Sequence, residues 1–417
     1  MQIKLGGFFN LTVILLTIFT FFLPTTPVWA DSAGVLPEGV LRIRVRALYS
    51  SYSQRFNPDG DTESIGIDFD QVIVDNKVFP DLATLEGTFG LPPDFLTLGT
   101  TSFYSNVKGY SFPVYFEYGL AERVSLGMVV PYLKVKRKVD FSISGANVGF
   151  NNNAPGCGGL PSILPLSTFP SCVDGPIDTE GVQTLLESPD YYYELNRFED
   201  FEDTGLGDIR FGLKHQYLKK EKARLAYTLS FRVPTGKSDD PDNLMDVALG
   251  DGQPDLVLEL HNDYLPWKDT LLNLYLRYTN QLSDREEKRV KTDPNQDIVP
   301  LANKEMLDRD LGDIIELETS INQKLSESFF SALIYRFLYK DKDSYESPTG
   351  KDTKSLEDET DWKSHIVRMT LGYSTLSSFT KKDFPLPLEA LLELSKVLDG
   401  KNVNKDTTVG VQMMLYF

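Results

Sequence analysis

Asp208, Arg232 and Asp255 are acids and a base whose spacing could bring them together. The first two belong to the run Thr204–Gly236, TGLGDIRFGLKHQYLKKEKARLAYTLSFRVPTG. Ile209, Phe211, Leu213, His215 and Tyr217 alternate there with Asp208, Arg210, Gly212, Lys214 and Gln216. After the charged break Leu218–Ala223, Leu225, Tyr227, Leu229, Phe231 and Val233 alternate with polar or small residues. A period of two means strands, and a break this short means a hairpin. Counting from a turn near Lys220 sets Gly207 opposite Pro234 and Asp208 nearly opposite Arg232. The next strand returns Asp255 to that height. A cation between two carboxylates fixes strand register, and beside a wet passage it also sets ion preference.

Other charges follow the same rhythm. Arg42, Arg44 and Arg46 alternate with Leu41, Ile43, Val45 and Ala47. Three arginines on one face repel one another unless water or acids meet them. Arg210, Lys214 and Glu259 share the polar face of their strands, and Glu316 and Glu318 fall between Arg277 and Arg336 on adjacent ones. The opposite face is almost wholly apolar. In water that face needs a core partner; in a membrane barrel lipid covers it, and the charges line the lumen.

The elements that position these residues number twelve. Expected strands are Val40–Tyr52, Tyr104–Tyr118, Val124–Asp140, the two halves of the hairpin, Asp255–Tyr264, Leu271–Gln281, Asp313–Gln323, Phe329–Lys340, Trp362–Ser374, Leu386–Val397 and Thr407–Phe417. Connections alternate between short and long, the long ones at about 53–103, 141–203, 237–252, 282–311 and 341–360. That asymmetry reads as an all-β, transmembrane, antiparallel up-and-down barrel with short periplasmic turns and long extracellular loops. An even count puts both termini in the periplasm. Tyr118, Tyr217 and Tyr264 fall near the short-turn end, and Tyr49, Tyr132 and Tyr278 near the other, where aromatic girdles belong.

Residues 1–30 read as a secretory signal peptide: Lys4, the apolar run Leu11–Leu23, then Val28-Trp29-Ala30 before Asp31. Residues 31–417 are then one barrel domain. No later run of about 18 apolar residues offers a transmembrane helix. The formal charge of −18 argues against nucleic acid as a partner. Cys157 and Cys172 fit a disulfide formed in an oxidising compartment. No CxxC spacing or histidine cluster suggests a metal or cofactor. The acidic loops Asp59–Asp70, Asp239–Asp251 and Asp341–Asp361 suit either solvated faces or divalent cations between lipopolysaccharides.

The ending Met414-Leu415-Tyr416-Phe417 resembles the signal read by the outer-membrane assembly machinery. It implies insertion into the outer membrane of a Gram-negative bacterium, among outer-membrane lipid and lipopolysaccharide. Thr204-Gly205-Leu206-Gly207-Asp208 with Val233-Pro234-Thr235-Gly236 resembles the outer-membrane barrels named for the meta-pathway of phenol degradation. There a GxGD strand start pairs with a PTG strand end. The resemblance covers Tyr191–Leu260 and implies a pore or carrier for aromatic or other apolar compounds.

Pro113 and Pro131 lie inside strands, nearly opposite each other, although a closed barrel has no edge to tolerate proline. A bulged ladder is expected there, and it suggests a lateral seam for an apolar solute. The apolar stretch Leu160–Pro170 suits a plug, a solute-capture patch, or packing on its own disulfide loop. The reading is a channel for passive passage of small, apolar or aromatic molecules. A non-transporting envelope or adhesion barrel is the alternative. A lipid hydrolase is the third reading, resting on the expected lipid-facing His215 and His365, with His261 in the lumen; no GxSxG elbow supports it.

Overall fold

A computed structural model describes residues 32–191, 193–292 and 299–417. The expected signal peptide lies outside the described residues. The alternating stretches form β1 (Leu41–Tyr52), β2 (Thr100–Ser111), β3 (Val114–Ala121), β4 (Val124–Val130), β5 (Tyr132–Ser144), β6 (Phe201–Leu206), β7 (Ile209–Lys219) and β8 (Ala223–Val233). They continue with β9 (Asp255–Trp267), β10 (Thr270–Gln281), β11 (Ile314–Lys324), β12 (Phe329–Lys340), β13 (Trp362–Ser374), β14 (Leu388–Lys401) and β15 (Thr407–Tyr416). These 15 segments form one antiparallel sheet in chain order. β1 pairs β15 from Arg42↔Tyr416 to Ser51↔Thr407, which closes the sheet into a 12-stranded barrel.

Fifteen segments make twelve staves because three staves are interrupted. β2 and β3 are one stave broken at Phe112–Pro113, β4 and β5 one broken at Pro131, and β6 and β7 one broken at Gly207–Asp208. The sequence reading took the GxGD motif as a strand start. The stave instead continues beyond it as β6, paired to β5 from Phe201↔Arg137 to Leu206↔Tyr132. β2 begins at Thr100 and β5 runs to Ser144, both longer than expected.

Period two sorts the wall as the barrel reading requires. Leu229, Leu256 and Val409 face outward at 55%, 50% and 51% exposure, while Arg44, Glu316 and Glu318 face inward at 1%. The six girdle tyrosines are all outward and exposed. Among the described residues no helix is long and apolar enough to cross a membrane.

The long-loop end carries a folded cap. α1 (Asp81–Phe89) and α2 (Thr179–Glu187) pack Leu82, Leu85, Val182 and Leu185 against Phe69, Phe79, Leu98 and Phe198. Asp178 caps α2, its carboxylate accepting the Gly181 N–H at 2.9 Å, which satisfies one open donor of the first turn. The Cys157–Cys172 disulfide holds a subloop in which Leu164 is fully buried with Val173. Leu160–Pro170 packs on its own disulfide loop and, through Ile163 and Phe169, on the core of the cap and on Phe89 of α1.

The segment 282–311 is not a plain loop. Asp284–Arg289 pairs Lys304–Asp310, which pairs Ser344–Glu346 in turn. Charged residues on both faces hid this hairpin from a hydrophobic-period reading. Cross-strand pairs such as Arg309–Asp284, at 2.7 Å, help hold it.

Candidate functional site

The inner wall is a lattice of paired charges. Arg277 pairs Glu259 at 3.1 Å and Glu316 at 2.8 Å. Arg336 pairs Glu316 at 2.9 Å and Glu318 at 2.8 Å, so Glu316 bridges the two arginines while Glu318 lies between Arg336 and Arg368, the latter at 3.9 Å. Arg210 reaches Glu259 at 3.0 Å. Arg46 is held by Glu393, with Nε donating at 2.6 Å. Arg42 and Arg44 share Glu117. Glu117 and Glu393 escaped the sequence reading, although both sit at inward positions of their strands.

Arg232 meets Asp208 (3.9 Å), Asp255 and a third acid, Asp251. The hairpin register is Ile209↔Val233 and Arg210↔Arg232, so Asp208 stands opposite Pro234, one residue from the expected match. The turn centres one residue later than expected, with Lys219 opposite Arg224, and a bulge between Gln216 and Leu218 takes back part of that shift. The long Arg232 side chain spans it. Asp251 lies in a loop, where periodicity offers no clue.

That loop, 237–252, folds into the barrel rather than outward. Val247 and Leu249 are buried against Val107, Leu133 and Val135, which are inner-face residues of β2 and β5. Its root is the GxGD and PTG motif. The Asp208 carboxylate accepts the Gly236 N–H at 2.9 Å, and the Thr235 hydroxyl donates to the Gly207 carbonyl at 2.7 Å. A side chain at Gly236 would strike Gly250 at 2.6 Å, so glycine permits the two arms of the loop to touch. The loop acids, expected outside, are bound by bases: Asp239 by Lys288, Asp242 by Arg289 and Lys304. Burial pushes Asp246 up to about 9, with Asp239 adding to the effect. Burial pushes Asp251 up to about 7 against the pull of Arg232, helped by Asp208.

The short-turn end is filled by residues 32–40. The Ser32 hydroxyl donates to Asp263 at 2.7 Å, and Gln216 Nε2 donates to the Ala33 carbonyl at 2.7 Å. Lys214 donates to the Ser32 carbonyl, and the Leu36 N–H to Ser125 at 3.0 Å. A Cβ at Gly119 would sit 1.9 Å from the Pro37 carbonyl oxygen, so only glycine lets this segment enter. Its residue pattern does not signal this insertion, because the segment lacks a period of its own.

The seam has a specific geometry. Ser111↔Leu133 and Val114↔Val130 keep one register across the break, which sets Pro113 directly opposite Pro131. The expected bulge between these staves is therefore absent. Each proline lacks only its own N–H, and Phe112 still donates to the Tyr132 carbonyl at 2.8 Å. The register step lies one stave further on. The Gly207 N–H donates to the Pro131 carbonyl at 2.9 Å, and pairing then resumes at Arg210↔Val129. Four neighbouring staves thus meet Pro113, Pro131, Gly207–Asp208 and Pro234 at one level.

A cavity of about 360 Å³ lies between the inserted segment and the wall, lined by Val35, Leu36, Arg44, Tyr115, Val129 and Lys214 among others. Gly127 and Gly212 face each other across the wall there. A Cβ at Gly127 would meet nothing closer than 3.9 Å, so the missing side chains help make the room.

His215 packs edge-on to Tyr227, and His365 Nδ1 is 2.7 Å from the Tyr335 hydroxyl. His261 is buried inside, with Nε2 2.8 Å from Thr228 Oγ1.

No family model matches the sequence, and no curated protein is similar to it in sequence. Solved structures are similar in fold. An outer membrane channel from Pseudomonas putida F1 superposes with a TM-score of 0.52 at 11% identity, covering 92% of this chain and 97% of that one. The transport unit of the autotransporter AIDA-I from Escherichia coli gives 0.39 at 7%, over 97% and 96%. The TodX deltaS2S3 mutant monoaromatic hydrocarbon channel gives 0.34 at 10%, over 91% of each chain. The first of these, with the closed sheet and apolar outer face, establishes the fold as a 12-stranded antiparallel barrel of the outer-membrane kind.

Proposed function

We propose that the chain is an outer-membrane channel of a Gram-negative bacterium, passing small apolar or aromatic molecules without energy input. The observation that carries this is a lumen cavity of about 360 Å³ beside a wall interrupted on three adjacent staves. Solute enters past the long-loop end and leaves sideways at Pro113 and Pro131, each of which withholds one backbone donor from a neighbouring stave. Both termini face the periplasm, lipid and lipopolysaccharide surround the barrel, and the Phe417 end is read by the assembly machinery.

A second reading is a barrel that serves envelope structure or adhesion and passes nothing. The inserted loop 237–252 and segment 32–40, which enter the lumen from its two ends, favour it.

Single-channel recording of the refolded protein, with uptake of an aromatic tracer into vesicles, separates the two. Tracer uptake above that of protein-free vesicles supports the channel, with or without conductance steps. Absence of both from a folded barrel, and from one lacking residues 239–249, leaves the structural reading.

A further inference from the structure

We infer that the lumen cavity binds small organic monocarboxylates with an apolar body, for which benzoate is the simplest probe. This names a solute class for the passage proposed above and rests on that reading only for transit.

The argument starts from Arg44. It is 1% exposed and stands directly opposite Tyr115 on the neighbouring stave. Its guanidinium carbon lies 3.8 Å from the centroid of the Tyr115 ring. Nη2 reaches Glu117 at 3.1 Å, but Nε and Nη1 find no acceptor in the protein. The buried Tyr115 hydroxyl finds no partner either. The next inward arginine, Arg46, is better held: Glu393 takes both its Nε and its Nη2 and leaves only Nη1 open. A buried cation with open donors is costly, and an anionic oxygen is the acceptor they lack.

Charge points the same way. Arg42 and Arg44 share the one carboxylate of Glu117. Among the described residues, five basic and three acidic side chains line the cavity. A bare inorganic anion would satisfy that excess and leave Val35, Leu36, Val129 and the Tyr115 ring uncovered. A carboxylate on an apolar body satisfies both. The volume, about 360 Å³, is at the small end of the usual range for ligand pockets, which suits a single ring or a short chain.

The test is calorimetric titration of the refolded protein in detergent with benzoate, its neutral isostere benzamide, and inorganic phosphate. Benzoate is expected to bind at least tenfold more tightly than either of the others. Arg44→Met should bring benzoate to the level of benzamide, and Gly127→Leu, which fills the cavity, should weaken both. Heat-shifted gel mobility reports folding of each variant. Equal binding of benzoate and benzamide, equal binding of phosphate, or full benzoate affinity in folded Arg44→Met overturns the proposal. If Arg44→Met does not fold, Gly127→Leu decides, and unchanged benzoate affinity overturns it. Binding without uptake into vesicles retires the transit reading and leaves the site. Uptake of a neutral tracer without benzoate binding retires the site and leaves the passage.

Discussion

Pro113 and Pro131 face each other across the second and third staves, with the same register above and below them. Phe112 donates to the Tyr132 carbonyl beside them, so the missing donors point away from this ladder, Pro113 toward Arg46 on the first stave and Pro131 toward Gly207 on the fourth, and one bond is lost on each side. Replacing both with Val supplies those donors without changing register. Each restored bond contributes about 0.5–1.5 kcal/mol. The double variant should therefore unfold at higher urea concentration in lipid vesicles, and its uptake of an apolar tracer should drop several-fold. Unchanged uptake in the stabilised variant would end the seam.

The inserted loop should respond to pH through two acids outside the wall. Asp251 is raised from 3.8 to about 7 and Asp246 from 3.8 to about 9, in both cases chiefly by burial. A folded-state pKa above the unfolded one means that the folded loop binds more protons. Its stability is greatest below the ordinary value. It declines as pH rises to about 7 for Asp251, and onward to about 9 for Asp246. Open probability in single-channel recordings should rise from pH 5 to pH 9. Asp246→Asn should flatten the upper part of that rise.

Glu316 holds Arg277 and Arg336 at 2.8 and 2.9 Å with almost no exposure. Removing it in Glu316→Ala leaves two inward arginines short of a partner, a change that typically costs about 3–5 kcal/mol at a buried pair. Urea unfolding of the refolded barrel measures this. A loss below about 1 kcal/mol would mean that water in the lumen relieves the arginines.

The Cys157–Cys172 bridge closes a stretch with a sequence separation of 15. On loop-entropy grounds it contributes about 3 kcal/mol, chiefly to the cap, where the stretch has its own buried cluster and Ile163 joins the core that also holds Val139 and Ile143 of β5. Cys157→Ser with Cys172→Ser should make the segment around Leu164 sensitive to protease. Heat-shifted mobility of the barrel should stay as it was. Loss of that shift would show that cap and wall fold as one unit.

The barrel was legible because its signal is repetitive. Each stave writes the same period of two, and the pairs Arg277–Glu316 and Arg336–Glu318 follow from counting alone. What stayed hidden lacks a period. Residues 32–40 enter the lumen in irregular conformation, fixed by partners as distant in sequence as Gln216 and Asp263. Loop 237–252 reads as acidic and solvated, yet Val247 and Leu249 turn it inward. The GxGD and PTG motif was visible, but its work as the root of that loop depends on Asp208 meeting the Gly236 N–H. The hairpin Asp284–Arg289 with Lys304–Asp310 escaped because charge on both faces erases the contrast on which counting depends.

Leu41 and Phe417 exchange backbone bonds at 3.0 and 2.8 Å, where the first stave meets the last. Every other junction in the wall joins staves consecutive in the chain, so most of the sheet grows by local hairpins. This junction alone unites opposite ends of the sequence, and the entropy of bringing them together is the slow term in such a topology. Assembly therefore resembles a zip with one late clasp. Until that clasp engages, the nascent sheet has two bare edges that invite pairing with other chains. Weakening the Leu41–Phe417 contact should slow maturation and promote aggregation before it alters the finished barrel.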